Sequence, residues 1–332
     1  MTTYKGIKGV KVESKASDPT ASEATGTVWY NTATTALKYA IEGAGTWAAG
    51  GTMGTARYGL MACGLQTAAL AFGGAVPFKS ETETYNGTAW TEVADMVSGR
   101  HNALGTGTQT AALAAGGSGG PGTHETLSET WNGSAWSEGN NLNVGRIYIN
   151  GAGITTAALG IGGSTNGPVP AYQNSVEEYD GTCWTEGTNL NQARGAAAAA
   201  GQGTTTASLF FGGIGPAPTS PTLDLTESYN GTSWTEVADL NTAKEDTAGS
   251  GTQTAAANFG GYAGPTLTGE TEVWDGTSWT VSTSMATARG SLGGAGTNSL
   301  ALAVSGPAAT GAQGTCEEFT NPVYTIKTVT VS

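Results

Sequence analysis

Two histidines, three cysteines and a recurring set of cations and carboxylates are the residues of this chain that could do chemistry. His101 and His124 alone make a poor metal site, because tetrahedral sites draw several ligands at short spacing. Cys63, Cys183 and Cys316 form no Cys-x-x-Cys pair and read as small buried residues, not as a disulfide framework. The cations recur in register: Arg57, Arg100, Arg146, Arg194, Lys244 and Arg289 each stand ten residues after Trp47, Trp90, Trp136, Trp184, Trp234 and Trp279. Glu81, Glu83, Glu129, Glu177, Glu227 and Glu272 lie just before the aromatic of each copy. A catalytic acid pair needs two environments that drive its pKa values apart, whereas a repeated position offers one environment copied. The glutamates are therefore expected at solvated strand edges. The arginines are expected in strand-end ion pairs, with an anion-binding ring as their lesser reading.

The elements that position these residues follow from the same repeat. Six residues after each Trp comes Met53, Met96, Leu142, Leu190, Leu240 or Met285. After each cation runs a small-residue stretch, then a second apolar stretch that ends on a Gly pair beginning at Gly73, Gly116, Gly162, Gly212 or Gly260; the sixth copy has Ser305-Gly306. The fourth copy is longer, within the run from Ala196 to Gly203. A variable loop then leads to Tyr85-Asn86-Gly87, Trp131-Asn132-Gly133, Tyr179-Asp180-Gly181, Tyr229-Asn230-Gly231 or Trp274-Asp275-Gly276. Asn-Gly and Asp-Gly between apolar runs mark tight hairpins. Each copy thus predicts four short strands at a period of roughly 40–50 residues, the pattern of a propeller blade. The register also predicts a strand over Ala196–Ala200, although an alanine run favours helix.

In the sixth copy Phe319 and Tyr324 stand where Tyr179 and Trp184 stand in the third. Six modules then fill residues 57–332, within a propeller of residues 27–332. Residues 27–56 supply closing strands, and their VWYN, LKYAIEG and GTWAAGG pieces either close the ring or form a partial seventh blade. Residues 1–26 have no strand or helix period and read as an extended N-terminal arm. Its Lys5, Lys8, Lys11 and Lys15 are the candidate attachment residues, and the arm is expected to be disordered alone and to order on a partner.

The Gly pair, the aromatic that follows, the Trp five residues later and the cation ten after that resemble kelch repeats over most of the chain. The fold implied is an all-β, kelch-type β-propeller of six four-stranded blades, or seven. Phrases such as QTAALAFGG and YNGTSWTEVADLNTAK also resemble kelch-like proteins of tailed, particularly marine, bacteriophages. That second resemblance implies a virion localisation after synthesis in the host cytoplasm, with other virion proteins as partners. Cellular kelch proteins carry larger aliphatics in the second strand, where this chain often has Ala; their partner-binding residues lie in family-specific loops that these loops do not match, so none carry over. Galactose-oxidase-like enzymes place copper between His and Tyr on this architecture, but His101 occupies a position held elsewhere by Tyr58, Ile147, Gly195, Glu245 and Gly290. The DGTSW and NGTSW turns differ in spacing from sialidase Asp-boxes and recur in every blade, which marks them as structural.

Net charge is −13 with no basic cluster beyond the first residues, which argues against nucleic acid. No apolar run approaches a membrane span or a signal peptide, so a soluble product without a membrane partner is expected. The loops 75–80, 118–127, 164–173, 214–224 and 262–269 vary while the rest of the module does not, and loops of that kind carry recognition. The expectation is a non-enzymatic structural protein without catalytic, cofactor or metal residues, a decoration or fibre-associated component displayed outward from its N-terminal arm. The alternative is a receptor-binding or carbohydrate-binding module.

Overall fold

A computed structural model describes residues 12–19, 27–75, 77–165, 171–309, 311–321 and 323–329. Every regular element among them is a strand. The chain divides into two compact units, Trp47–Phe319 and a smaller one made from the two ends of the chain.

The larger unit contains six four-stranded sheets. The first runs Met61–Leu65, Ala68–Phe72, Thr82–Tyr85 and Trp90–Val93, each strand pairing antiparallel with the next. The second to fifth repeat this order over residues 104–138, 150–186, 198–236 and 248–282. The hairpin closing each of these five sheets comes from the Asn-Gly and Asp-Gly turns. Asn86 Oδ1 accepts the N–H groups of Thr88 and Ala89 at 2.9 Å, and Asp180 Oδ1 accepts those of Thr182 and Cys183 at 2.8 Å. The turn sets the register, so each aromatic lies directly across from its Trp, as Tyr85 does from Trp90 and Tyr229 from Trp234. Six apolar cores lie between successive sheets, including one between the sixth and the first that joins Leu302 and Val304 to Ala69 and Tyr85. Sheets arranged in this way are consistent with the blades of a β-propeller.

The sixth sheet departs from the sequence alignment. Its strands are Gly293–Gly296, Leu300–Ala308 and Gly311–Thr320, and the fourth place is filled by Thr46–Ala49. Trp47 takes the role of the repeat Trp there. Its Nε1 donates to Thr271 Oγ1 of the fifth sheet at 3.0 Å, as Trp136 donates to Thr82 of the first and Trp279 to Thr226 of the fourth. The strand carrying Tyr324, Val323–Thr328, pairs instead with Ala36–Gly43. The physical reason is local: residues 46–49 come with the repeat spacing of Trp, aliphatic and cation into the first sheet, so they dock as a fourth strand wherever an open edge with that register exists.

The smaller unit is one four-stranded sheet, ordered Glu13–Lys15, Val28–Asn31, Ala36–Gly43 and Val323–Thr328. Part of the expected disordered arm is therefore a strand, with Glu13–Lys15 parallel to Val28–Asn31. Asp18 holds it in place by accepting from Trp29 Nε1 at 3.1 Å, Asn31 Nδ2 at 2.5 Å and Lys38 Nζ at 2.6 Å.

The alanine run also differs from expectation. It is not helical, but only Ala198–Ala199 pair as a strand, and Ala196 sits in the left-handed region at φ 52°. The two extra residues of this copy lift the remainder into a loop across the unit. Gln202 N–H donates to Gly251 O of the fifth sheet at 2.9 Å, and Gly201 O accepts from Thr106 Oγ1 of the second at 3.2 Å.

Candidate functional site

The repeated glutamates are not solvated. Glu83, Glu129, Glu177, Glu227, Glu272 and Glu317 are all buried, and the cations are buried to 1% exposure or less. Each cation meets the glutamate of its own sheet: Arg57–Glu83 at 3.3 Å, Arg146–Glu177 at 2.9 Å, Arg194–Glu227 at 3.2 Å, Lys244–Glu272 at 3.1 Å, Arg289–Glu317 at 2.6 Å, and Arg100–Glu129 in hydrogen-bond contact. Burial corrects the solvated reading because a charge taken from water needs both a counter-charge and hydrogen bonds, and here each glutamate has both. Its second oxygen accepts a backbone N–H three residues before the cation, from Gly54, Val97, Asn143, Asn191, Asn241 or Ala286, at 2.7–2.8 Å. The pair therefore pins the link between sheets. Glu81, at the neighbouring position, is half-buried and pairs with Lys79 at 2.7 Å.

The backbone of the same cation explains the Gly pairs. The second glycine donates its N–H to the carbonyl of the next sheet's cation, as Gly74 does to Arg100 at 2.8 Å and Gly213 to Lys244 at 2.7 Å. A Cβ on Gly73 would meet Arg100 O at 2.5 Å, and Gly73 has φ 66°. Ser305-Gly306 makes the equivalent contact to Arg57 O, which joins the sixth sheet to the first.

Two residues beyond each cation the six links meet. Gly59, Asn102, Tyr148, Ala196, Asp246 and Ser291 all lie in the left-handed region, at φ 43–61°. Their backbones form a closed cycle of hydrogen bonds: Asn102 N–H to Gly59 O, Tyr148 to Asn102, Ala196 to Tyr148, Asp246 to Ala196, Ser291 to Asp246 and Gly59 to Ser291, at 2.7–3.1 Å. Sequence reasoning missed this ring. Its signal is a repeated position with no common residue type, which a search for shared residues passes over.

The ring lines a solvent-open cavity of about 70 Å³. One place before the ring, the residues that follow the cations bridge to the variable loops: Tyr58 to Ala75, His101 to Ser118, Ile147 to Ser164, Gly195 to Ile214 and Glu245 to Tyr262. Loop residues Tyr172 and Tyr262 cover Gly195 and Gly290 so closely that a Cβ there would meet their rings at 2.8 and 2.5 Å. Burial, and then the adjacent Asp246 carboxylate, pushes the Glu245 carboxyl up to about 7. Burial raises Asp246 as well, against the Ser291 hydroxyl that donates to it at 3.1 Å. Burial and the same two acids raise Tyr148, and Tyr172 to about 12.

The other candidates separate. His101 packs on Phe78 with centroids 5.3 Å apart, and burial lowers its pKa. Among the described residues no three His, Cys, Asp or Glu side chains converge as metal ligands. The three cysteines are unpaired, and burial pushes Cys63 up to about 12 and Cys316 to about 11, away from thiolate chemistry. Lys15 lies in the terminal sheet 3.6 Å from Glu13, while Lys5, Lys8 and Lys11 lie outside the described residues. No helix among the described residues is long and apolar enough to cross a membrane. No protein-family model matches the chain, and no curated protein matches it.

Proposed function

We propose that the chain is a non-enzymatic interaction protein: a six-bladed, kelch-type propeller that displays its variable loops from a rigid ring and is carried on a virion through its N-terminal arm. Six sheets, six intervening cores and the cycle of backbone hydrogen bonds support the closed ring. The observation that carries the display reading is the division of labour within each repeat. Cation, glutamate and Gly pair hold the links, while the loops that bridge to those links differ in every copy. A rigid repeat carrying variable loops is the usual arrangement for recognition. The virion assignment rests on the resemblance of the repeat phrasing to phage kelch-like proteins.

Mass spectrometry of purified particles tests it, with the full chain compared against a chain lacking residues 1–11, which leaves the Glu13–Lys15 strand in place. The expected result is incorporation of the full chain and loss of incorporation on truncation. Absence of the full chain from particles would overturn the virion reading, and equal incorporation would overturn attachment through Lys5, Lys8 and Lys11. Binding on a glycan array would move the loops to carbohydrate recognition.

A further inference from the structure

The axial ring holds an acid that the framework leaves without a counter-charge. Six buried glutamates each face a cation. Glu245 and Asp246, side by side in the link to the fifth sheet, take part in no ion pair among the described residues, although both are half-buried. One Asp246 oxygen accepts from Ser291 Oγ; the other has no hydrogen bond among the described residues. Asn102, Tyr148 and Ser291 place further polar atoms around the same cavity of about 70 Å³, and Leu60 and Leu292 give it apolar walls.

We propose that this axial mouth binds an ammonium group, with Asp246 as its counter-charge, Asn102 and Ser291 as hydrogen-bond acceptors and the neighbouring Glu245 as a second carboxylate. The volume decides the size of the guest. About 70 Å³ admits a charged head with a short stretch of methylene stem, whereas small-molecule sites for larger ligands run to roughly 300 Å³ and above. The ligand set decides its kind. A divalent metal wants several hard or imidazole ligands converging, and no such group of three exists among the described residues. An ammonium needs acceptors spread around it for its three N–H donors, which a ring provides, whereas a guanidinium prefers a planar two-oxygen partner. The raised carboxyls agree, since acids withdrawn from water without a counter-charge hold their protons more tightly, and an arriving cation restores the charged form. This inference does not rest on the virion reading: the ammonium can belong to a free amine or to a lysine side chain presented by a partner.

Calorimetric titration of the full chain with cadaverine, with Nα-acetyl-lysine methylamide and with its uncharged counterpart Nα-acetyl-norleucine methylamide tests the site. The charged probes should bind with Kd on the order of 1 mM, and the norleucine probe at least about tenfold more weakly. Binding of both charged probes identifies a general ammonium site, and binding of the lysine probe alone identifies a presented lysine. Asp246→Asn should weaken the charged probes at least about tenfold. Its fold is checked by thermal melting, and if it fails to fold, Glu245→Gln is read in its place with an expected loss of several-fold. The proposal is overturned if norleucine binds as well as lysine, if neither charged probe binds at about 20 mM, or if a folded Asp246→Asn binds as the parent does.

Discussion

The cation of each repeat and the residue two places after it lie in the same link, yet they repeat in opposite ways. Arg57, Arg100, Arg146, Arg194, Lys244 and Arg289 keep charge, burial and partner through all six copies. Gly59, Asn102, Tyr148, Ala196, Asp246 and Ser291 keep only a left-handed backbone and a place in the hydrogen-bonded cycle. Where the fold needs a side chain, the side chain is copied. Where it needs only a dihedral, the side chain is free to differ, at the cost of holding five non-glycine residues at positive φ. Strain of that kind persists only where surrounding structure over-determines it, and here the buried pairs immediately before the ring do so.

The contrast can be broken most directly at the copied position. Glu227→Ala leaves Arg194 buried and unpaired and should cost about 3–5 kcal/mol, read from denaturant midpoints. A loss below about 1 kcal/mol would mean that the pair contributes no more than a surface one. Trp234→Ala, which empties a buried aromatic site, should cost a similar 3–5 kcal/mol. Trp47→Ala should come close to it, about 3 kcal/mol, because Trp47 packs against Phe259 and Phe319 with centroids at 5.3 and 5.0 Å and makes the repeat's hydrogen bond to Thr271. A negligible loss at Trp47 would make the N-terminal strand of the sixth sheet a mere edge cover.

At the uncopied position, and at the variable position just before it, effects are smaller and can have the opposite sign. The folded-state pKa of Glu245 is raised to about 7 from its usual 4.5, so the folded chain binds that proton more tightly than the unfolded chain does. Stability from this group is complete below about pH 4.5 and is lost as pH rises through about 7. Glu245→Gln should therefore be the more stable chain at pH 8, by about 1 kcal/mol once solvent screening of the half-exposed group is allowed for, with the advantage gone at pH 4. Thermal melts of both chains across that range check it, and an advantage that grows towards low pH would refute the sign. Smallest of all, Ala196→Gly should stabilise by about 0.5 kcal/mol, as the relief of positive φ slightly exceeds the added entropy of glycine. Gly59→Ala should do the reverse and more strongly, since its Cβ would also meet Asn102 Oδ1 at 2.5 Å.

Strands and turns were legible in the sequence because their signals are local: Asn-Gly with a Trp three residues on fixes a hairpin without reference to anything distant. The buried pairs were not, because cation and glutamate are separated by a loop of changing length. Arg57 meets Glu83, but Arg194 meets Glu227, and only counting back from the aromatic, two residues each time, brings the glutamates into register. The fourth strand of the sixth sheet was misplaced because Phe319 and Tyr324 copy the repeat's aromatics at the repeat's spacing, and nothing local distinguishes a strand that stays in its sheet from one that leaves it. The ring was invisible because it is a property of the backbone.

The placing of Thr46–Ala49 beside Gly311–Thr320 also sets a timetable. During synthesis this strand emerges well before its partner, with all five local sheets lying between the two in the chain. At about 5–20 residues per second the interval is tens of seconds, long enough for each of the five local sheets to form as its own hairpins leave the ribosome. For that whole time residues 46–49 are an unpaired β segment with Trp47 uncovered, the kind of segment that seeks any open strand edge nearby. Final assembly therefore depends on Gly311–Thr320 arriving before a neighbouring chain does, and crowding of nascent copies on one message would favour exchange of this strand between them.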